Sequence, residues 1–185
     1  MEIIKTSIKD LCIIQPKVFR DERGYFMETF KEALFKENFS KVNFIQDNES
    51  KSTYGVLRGL HFQRPPFEQS KLVRVVDGEI LDVAVDLRPG SSSFGKFHSE
   101  ILSTENKKQL FIPKGFAHGF VVLSSTAIVN YKVDQIYSPD HETGINYNDE
   151  TLNIDWRIPY NDLIVSKKDK KLPMIKNFEF KNLSI

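Results

Sequence analysis

Cysteine is almost absent: Cys12 stands alone in 185 residues, so no internal disulfide can form and a reducing compartment is expected. Neither sign of charge is in surplus. With 26 Lys and Arg against 25 Asp and Glu the net charge is +1, which gives no global field for nucleic acid or a membrane surface. An anionic ligand would need a local cluster of cations. No apolar run reaches the ~20 residues of a spanning helix. The opening Met1-Glu2-Ile3-Ile4-Lys5 lacks the charged-then-apolar layout of a signal peptide, so a cytoplasmic chain is expected. There is no internal repeat and no low-complexity linker. The length suits one well-buried core, hence a single domain over 1–185. What is plentiful is phenylalanine, 15 in all, which fits a β-rich core around a partly aromatic pocket.

Residues 11–19 read as a strand interrupted by Pro16, and therefore as an edge strand. Asp21-Glu22-Arg23-Gly24 is a turn from which Tyr25 to Glu28 return. Thr29 and Glu32 have the spacing of a capping box, and Phe30, Leu34, Phe35 and Phe39 follow at helical intervals. A short amphipathic helix is predicted over 30–38. From 42 to 135 the chain is strands and turns: a polar loop at 49–53, and Asp77-Gly78 as a hairpin turn. Strand 79–87 follows with Leu81, Val83 and Val85 on one face and Asp82 and Asp86 on the other. Further strands are predicted at 97–103, 109–112, 118–124 and 127–133. Short strands without a βαβ rhythm indicate a mainly β fold, an antiparallel jelly-roll barrel with its core at about 42–135. The tail after Asp155 is expected to be helical or irregular and to pack on one end of the barrel.

The chemistry concentrates in Val56-Leu57-Arg58-Gly59-Leu60-His61-Phe62-Gln63 and, beyond a Pro-Pro loop, Lys71. Cations and a histidine in an apolar strand are costly to bury unless something there uses them. Strict alternation puts Arg58 and His61 on opposite faces, so the two share a pocket only if Gly59 bends or bulges the strand; an irregularity is predicted there. An unperturbed imidazole titrates at about 6.5, matched to general-base work at neutral pH. Positive charge from Arg58 and Lys71 suits an enolate or a diphosphate, while Asp169 as an orienting carboxylate and Tyr131 as a proton donor from the opposite side are candidates whose roles rest on the family resemblance given below. The plainer readings are a core histidine satisfied by backbone, a core tyrosine and a solvated aspartate in a Lys-rich tail. Arg74, Lys96, Lys107 and Lys108 read as solvated surface charges.

Pro113-Lys114-Gly115-Phe116-Ala117-His118 resembles the second signature of the cupin superfamily, Pro-x-Gly-x-x-His. The first signature reads His61-Phe62-Gln63, lacking its second histidine, and no glutamate stands in the usual place before Gly78. Two imidazoles without a carboxylate are a poor set for a divalent ion, so a cupin pocket without metal is expected.

Several stretches together, in order and over nearly the whole chain, resemble the dTDP-4-dehydrorhamnose 3,5-epimerase family, metal-free cupins of deoxysugar biosynthesis. They are Asp21 to Phe26, Gln46-Asp47-Asn48, Val56 to His61, Lys71 to Arg74, Asp82 to Asp86, residues 113–120, Tyr131-Lys132 and Ser166 to Asp169. The resemblance implies an isomerase that needs no cofactor, with His61 as base assisted by Asp169, Tyr131 as acid and Lys71 on the 4-keto oxygen. It implies substrate contacts from Arg23, Phe26, Glu28, Gln46, Asn48, Arg58, His118 and Lys168. It also implies a homodimer in which Arg23 to Glu28 serve the neighbouring site. Tyr147, Glu150 and Arg157 depart from the family's usual residues around 144–157. A single-centre epimerase, a non-catalytic sugar-nucleotide-binding cupin and a metal-dependent cupin are the competing readings.

Overall fold

The computed structural model describes residues 1–180. Strands β1 (Glu2–Lys5), β2 (Cys12–Gln15), β3 (Val18–Asp21) and β4 (Gly24–Met27) precede helix α1 (Glu32–Asn38). Then come β5 (Gln46–Thr53), β6 (Val56–Gln63), β7 (Lys71–Asp77), β8 (Glu79–Asp86), β9 (Phe97–Ser103), β10 (Gln109–Ile112), β11 (Phe116–Val122) and β12 (Thr126–Val133). Two short strands, β13 (Glu142–Gly144) and β14 (Ile164–Val165), lie in the tail with three single 3-10 turns.

One sheet has the order β1-β2-β10-β7-β12-β5; the other runs β13-β6-β11-β8-β9, with β14 added alongside β6. The pairing is antiparallel apart from the β14–β6 contact, and the two sheets enclose a core in the jelly-roll manner. Strands before residue 42 and after residue 135 extend both sheets. β3 and β4 form a separate exposed hairpin.

Several expectations need correction. Residues 11–19 are not one edge strand: Pro16, with no N–H to offer, separates β2 from β3, and β2 lies inside its sheet between β1 and β10. The capping box does not form. Lys31 occupies the N-cap of α1 without a side-chain cap, and Thr29 instead offers its carbonyl to Gln109 Nε2 at 2.8 Å. Aromatic packing holds the helix down: Phe35 is buried among Phe30, Phe39, Phe44 and Phe111, with ring centroids 5.1 to 6.0 Å away. Residues 49–53 belong to strand β5 rather than to a loop, paired along their length with β12.

Asp77-Gly78 is not a hairpin turn. β7 and β8 belong to different sheets, so this dipeptide is a corner at which the chain crosses the barrel. Gly78 (φ +82°) is required there, because a Cβ would sit 2.0 Å from the Thr126 carbonyl oxygen. Lys107 is buried rather than solvated, with its ammonium 3.0 Å from the Tyr25 hydroxyl and over that ring. Lys108 and Arg74 are half-buried, Lys108 paired with Glu100; Lys96 is exposed as expected.

The tail covers the outer face of the second sheet, not an end of the barrel. Ile145, Tyr147, Leu152, Trp156 and Ile175 pack on Leu57, Leu81, Val83, Val85 and Val121. Both faces of β8 are therefore dry. Leu81, Val83 and Val85 meet the tail, while Asp82 and Asp86, on the opposite face as the alternation predicts, are fully buried. No helix among the described residues is long and apolar enough to cross a membrane.

Candidate active site

The site begins with a fault in β6. His61 pairs with His118 and Arg58 with Phe120, so three steps on β6 match two on β11. The extra residue is the bulge predicted at Gly59, whose φ of +127° is open to glycine. It resets the alternation and puts Arg58 and His61 on the same inner face. The register across β6, β11, β8 and β9 then stacks two rows: His61, His118, Ala84 and His98, and beneath them Arg58, Phe120, Asp82 and Glu100.

The facing sheet contributes Lys71 from β7, Tyr131 from β12 and Asn48 from β5, with Asn48 and Tyr131 directly opposed in register. Two cavities of about 550 and about 260 Å³ share His61, Lys71, Tyr131 and Glu142. The larger also takes in Arg58, His118, Ser50 and Asp169; the smaller takes in Gln46, Asn48 and Tyr137.

His61 Nε2 lies 2.8 Å from Asp169 Oδ1, and Asp169 Oδ2 accepts the Gly59 N–H at 3.3 Å. The tail thus delivers a carboxylate that ties the imidazole to the bulge beside it. Asp169 is buried, which by itself would raise its pKa. The His61 ring, the Gly59 amide and the Ser166 hydroxyl outweigh burial and hold it below the ordinary carboxylate range. His61 Nδ1 has no protein partner among the described residues.

Desolvation pushes Lys71 down to about 8, against the opposing pull of Asp82 and Glu142. Burial also raises the Tyr131 phenol, helped by Glu142 and opposed by Arg58, so it keeps its proton through neutral pH. Burial lowers His118 despite Asp82, whose Oδ1 is 2.6 Å from its Nε2. Arg58 donates through Nε to Ser52 Oγ at 3.2 Å, leaving its terminal nitrogens for a ligand.

The residue standing where a metal cupin has its second histidine is fully engaged elsewhere. Gln63 donates to the carbonyls of Phe67 (2.6 Å) and Ile136 (3.0 Å) and accepts the Ser138 N–H (2.7 Å), fastening two loops. No group of three or more His, Cys, Asp or Glu side chains among the described residues has metal-binding geometry.

Residues 5–177 match the family model described as dTDP-4-dehydrorhamnose 3,5-epimerase. The chain belongs to this family. A dTDP-4-dehydrorhamnose 3,5-epimerase of Methanothermobacter thermautotrophicus is 55% identical over 168 residues, 90% of each chain. The crystal structure of the Elizabethkingia anophelis 3,5-epimerase superposes with a TM-score of 0.93 at 51% identity, covering 98% of each chain. The Legionella pneumophila 3,5-epimerase, solved in complex with dTDP-4-keto-L-rhamnose, gives 0.94 at 46% identity, over 99% of this chain and 97% of that one.

Measured against the sites this family resemblance implied, one chain brings together His61, Lys71, Tyr131, Asp169, Arg58, His118, Gln46 and Asn48. Lys168 is exposed at the rim, hydrogen-bonded to Glu142. Arg23, Phe26 and Glu28 do not join them. Arg23 and Phe26 line a separate groove on the β3–β4 hairpin, Arg23 is paired with Asp21, and Glu28 faces Lys31 at 3.7 Å. Asp169 is buried rather than solvated.

The sequence reading missed Glu142, which touches both cavities and accepts from Tyr137 as well as Lys168. It also missed Asp82 as the partner of His118, and Ser52 behind Arg58. Glu142 sits in an irregular polar stretch without a local signal. Asp82 carried one, as a charge within an apolar strand.

Proposed function

We propose that this chain inverts C3 and C5 of dTDP-4-dehydro-6-deoxy-D-glucose to give dTDP-4-dehydro-L-rhamnose. The observation that carries this reading is the Asp169-held His61 imidazole sharing a cavity with Tyr131 and Lys71. The 4-keto group acidifies the protons on both neighbouring carbons. His61 Nδ1 takes the proton from one of them, and the electron pair moves onto the keto oxygen as an enolate held by the Lys71 ammonium. The Tyr131 phenol returns a proton to the opposite face and the C=O re-forms. His61 then gives its proton to solvent and the Tyr131 phenolate regains one, after which the second carbon reacts in the same way. The proton count closes with no redox step.

Arg58, Gln46, Asn48, His118 and Lys168 hold the diphosphate, nucleoside and sugar hydroxyls in this reading. The working unit is a homodimer that exchanges its hairpins, supplying Arg23, Phe26 and Glu28 to the neighbouring site. The exposure of Phe19 (50%), Tyr25 (50%) and Phe26 (67%) on that hairpin supports this, since such rings rarely face water unpartnered. The lone, buried Cys12 suits a cytoplasmic setting.

The test is incubation with the keto-sugar nucleotide in heavy water, read by proton NMR. Deuterium at both C3 and C5 is the expected result. Label at one carbon makes the chain a single-centre epimerase, and binding without label makes it a sugar-nucleotide-binding cupin.

A further inference from the structure

Three residues of one short segment reach the β3–β4 hairpin. Residues 106–109 run from the turn after β9 into β10. The Asn106 carbonyl accepts from Gln15 Nε2 at 3.1 Å, where the chain leaves β2 for the hairpin. Gln109 Nε2 donates to the Thr29 carbonyl at 2.8 Å, just past the hairpin's other end. Between these two roots Lys107 Nζ donates to the Tyr25 hydroxyl at 3.0 Å and lies 4.1 Å from the centre of its ring.

Lys107 is 6% exposed, yet its ammonium has no carboxylate partner among the described residues. A lysine that deeply buried is ordinarily paired, and here the acceptor is a phenol on a hairpin that otherwise faces water. The segment that carries it is braced. Asn106 Oδ1 accepts the N–H groups of Ser103 at 3.2 Å and Lys108 at 2.9 Å. Its Nδ2 donates to the Ile101 carbonyl at 2.7 Å, and its own N–H to Ser103 Oγ at 3.1 Å. Lys107 is held at φ +56°, a left-handed conformation uncommon for a residue with a Cβ, which persists where the surrounding bonds over-determine it.

The hairpin needs such a hold. β3 and β4 pair only with each other, and a two-stranded ribbon alone is marginal in water. Alternation puts Tyr25 on one face of β4 and Phe26 on the other, where Phe26 meets its cross-strand partner Phe19 with 6.4 Å between ring centres. Fastening Tyr25 to the barrel therefore turns Phe26 and Phe19 away from it.

We propose that residues 106–109 form a bracket that fixes the direction in which the hairpin leaves the barrel, with Lys107 as the positioning residue, and so presents Arg23 and Phe26 to the dTDP-sugar. The inference rests on the reading of the hairpin as part of the neighbouring subunit's substrate site. Lys107 acts through Tyr25 and touches no substrate. Its loss weakens substrate binding and leaves the chemistry of His61, Lys71 and Tyr131 in place.

The experiment is steady-state kinetics on the keto-sugar nucleotide with Lys107→Met, Lys107→Arg, Tyr25→Phe and the Lys107→Met/Tyr25→Phe double variant. Lys107→Met is expected to raise KM about tenfold, the scale of one lost hydrogen bond to a charged group, with kcat within about twofold of wild type. Lys107→Arg keeps the charge and a donor and recovers most of the loss. Tyr25→Phe raises KM about threefold, and the double variant is no worse than Lys107→Met, because both changes remove one contact. An unchanged KM in Lys107→Met overturns the proposal, as does a fall in kcat as large as the rise in KM. Additive effects in the double variant assign Tyr25 to the substrate directly and overturn it too. Should Lys107→Met not fold, Tyr25→Phe, on the exposed side of the contact, decides: an unchanged KM there overturns the proposal.

Mixed dimers of Lys107→Met with an excess of His61→Asn separate this failure from that of hairpin exchange. The one site with its His61 then belongs to the Lys107→Met chain and receives the intact hairpin of the His61→Asn chain. A KM restored to the wild-type value is expected. A KM still raised upholds the bracket and places the hairpin in its own chain's site, overturning the exchange alone.

Discussion

Asp169 reaches His61 across the chain with its Oδ1 2.8 Å from Nε2, and with its other oxygen holds the Gly59 amide at 3.3 Å. One buried carboxylate thus fixes both the ring and the bulge that turns the ring inward. Asp169→Asn keeps the shape but offers an amide where the imidazolium needs a negative charge. It should lower kcat about 10- to 100-fold with KM nearly unchanged, the scale seen when an orienting partner of a working histidine is lost. Steady-state kinetics on the keto-sugar nucleotide check it, and a change confined to KM would count against the assignment.

The same carboxylate has a pH signature. Its folded pKa lies below the ordinary value, so the unfolded chain binds the proton more readily and folding stability falls as the solution is acidified. The contribution is present above the unfolded carboxylate pKa, at about 3.9, and is lost as pH drops through the lower folded value. Wild type and Asp169→Asn should therefore differ in denaturation midpoint at neutral pH and converge as the pH falls below the ordinary carboxylate range. A constant difference across that range would contradict the linkage.

Tyr131→Phe removes the proposed proton donor and leaves the proposed base, His61, in place. Solvent deuterium should still enter the recovered substrate, because His61 can take and return a proton on its own face. Inverted product should fall by at least about 100-fold, the lower range for a positioned general acid. Loss of both washout and inversion together would mean that Tyr131 is needed to bind, not to donate.

The proposed homodimer and its exchange of hairpins can be tested by mixing two inactive variants. His61→Asn and Arg23→Ala lie in different regions of one chain, so each homodimer is inactive at both of its sites if the site is shared. Mixed dimers regain one intact site, and a one-to-one mixture should recover about a quarter of wild-type activity after subunit exchange. No recovery, with exchange verified by mass spectrometry, would place Arg23 in its own chain's site.

Much of this was written locally. The Phe-rich helix and the later strands follow from side-chain period, and the inward set of Arg58, His61 and Lys71 from the cost of burying charge together with the irregularity expected at Gly59. What escaped was decided at a distance. Asp77-Gly78 has hairpin chemistry, yet β7 and β8 pair with β12 and β11 instead, and only the jelly-roll path turns that dipeptide into a corner. Polar residues 49–53 became a strand because β12 supplied a full register of partners. Asp169 looked solvated because nothing near it in sequence shows that the tail folds over β6 and buries it.

The bulge itself offers the sharpest mechanical test. A Cβ on Gly59 would lie 2.5 Å from Gly119 Cα and 2.9 Å from the His118 carbonyl oxygen, both backbone atoms without freedom to retreat, and φ there is +127°. Gly119 is the reciprocal position, where a Cβ would meet the Arg58 carbonyl oxygen at 2.7 Å. Two glycines back to back let β6 and β11 approach where the extra residue is inserted. Gly59→Ala should cost about 1–3 kcal/mol in backbone strain, and more if β11 cannot shift. Any folded fraction should have lost catalysis out of proportion to stability, because straightening β6 returns Arg58 and His61 to opposite faces. Urea denaturation alongside kcat/KM separates the two effects. If Gly59→Ala unfolds more easily but the folded protein turns over normally, the bulge serves packing alone and does not set the catalytic face.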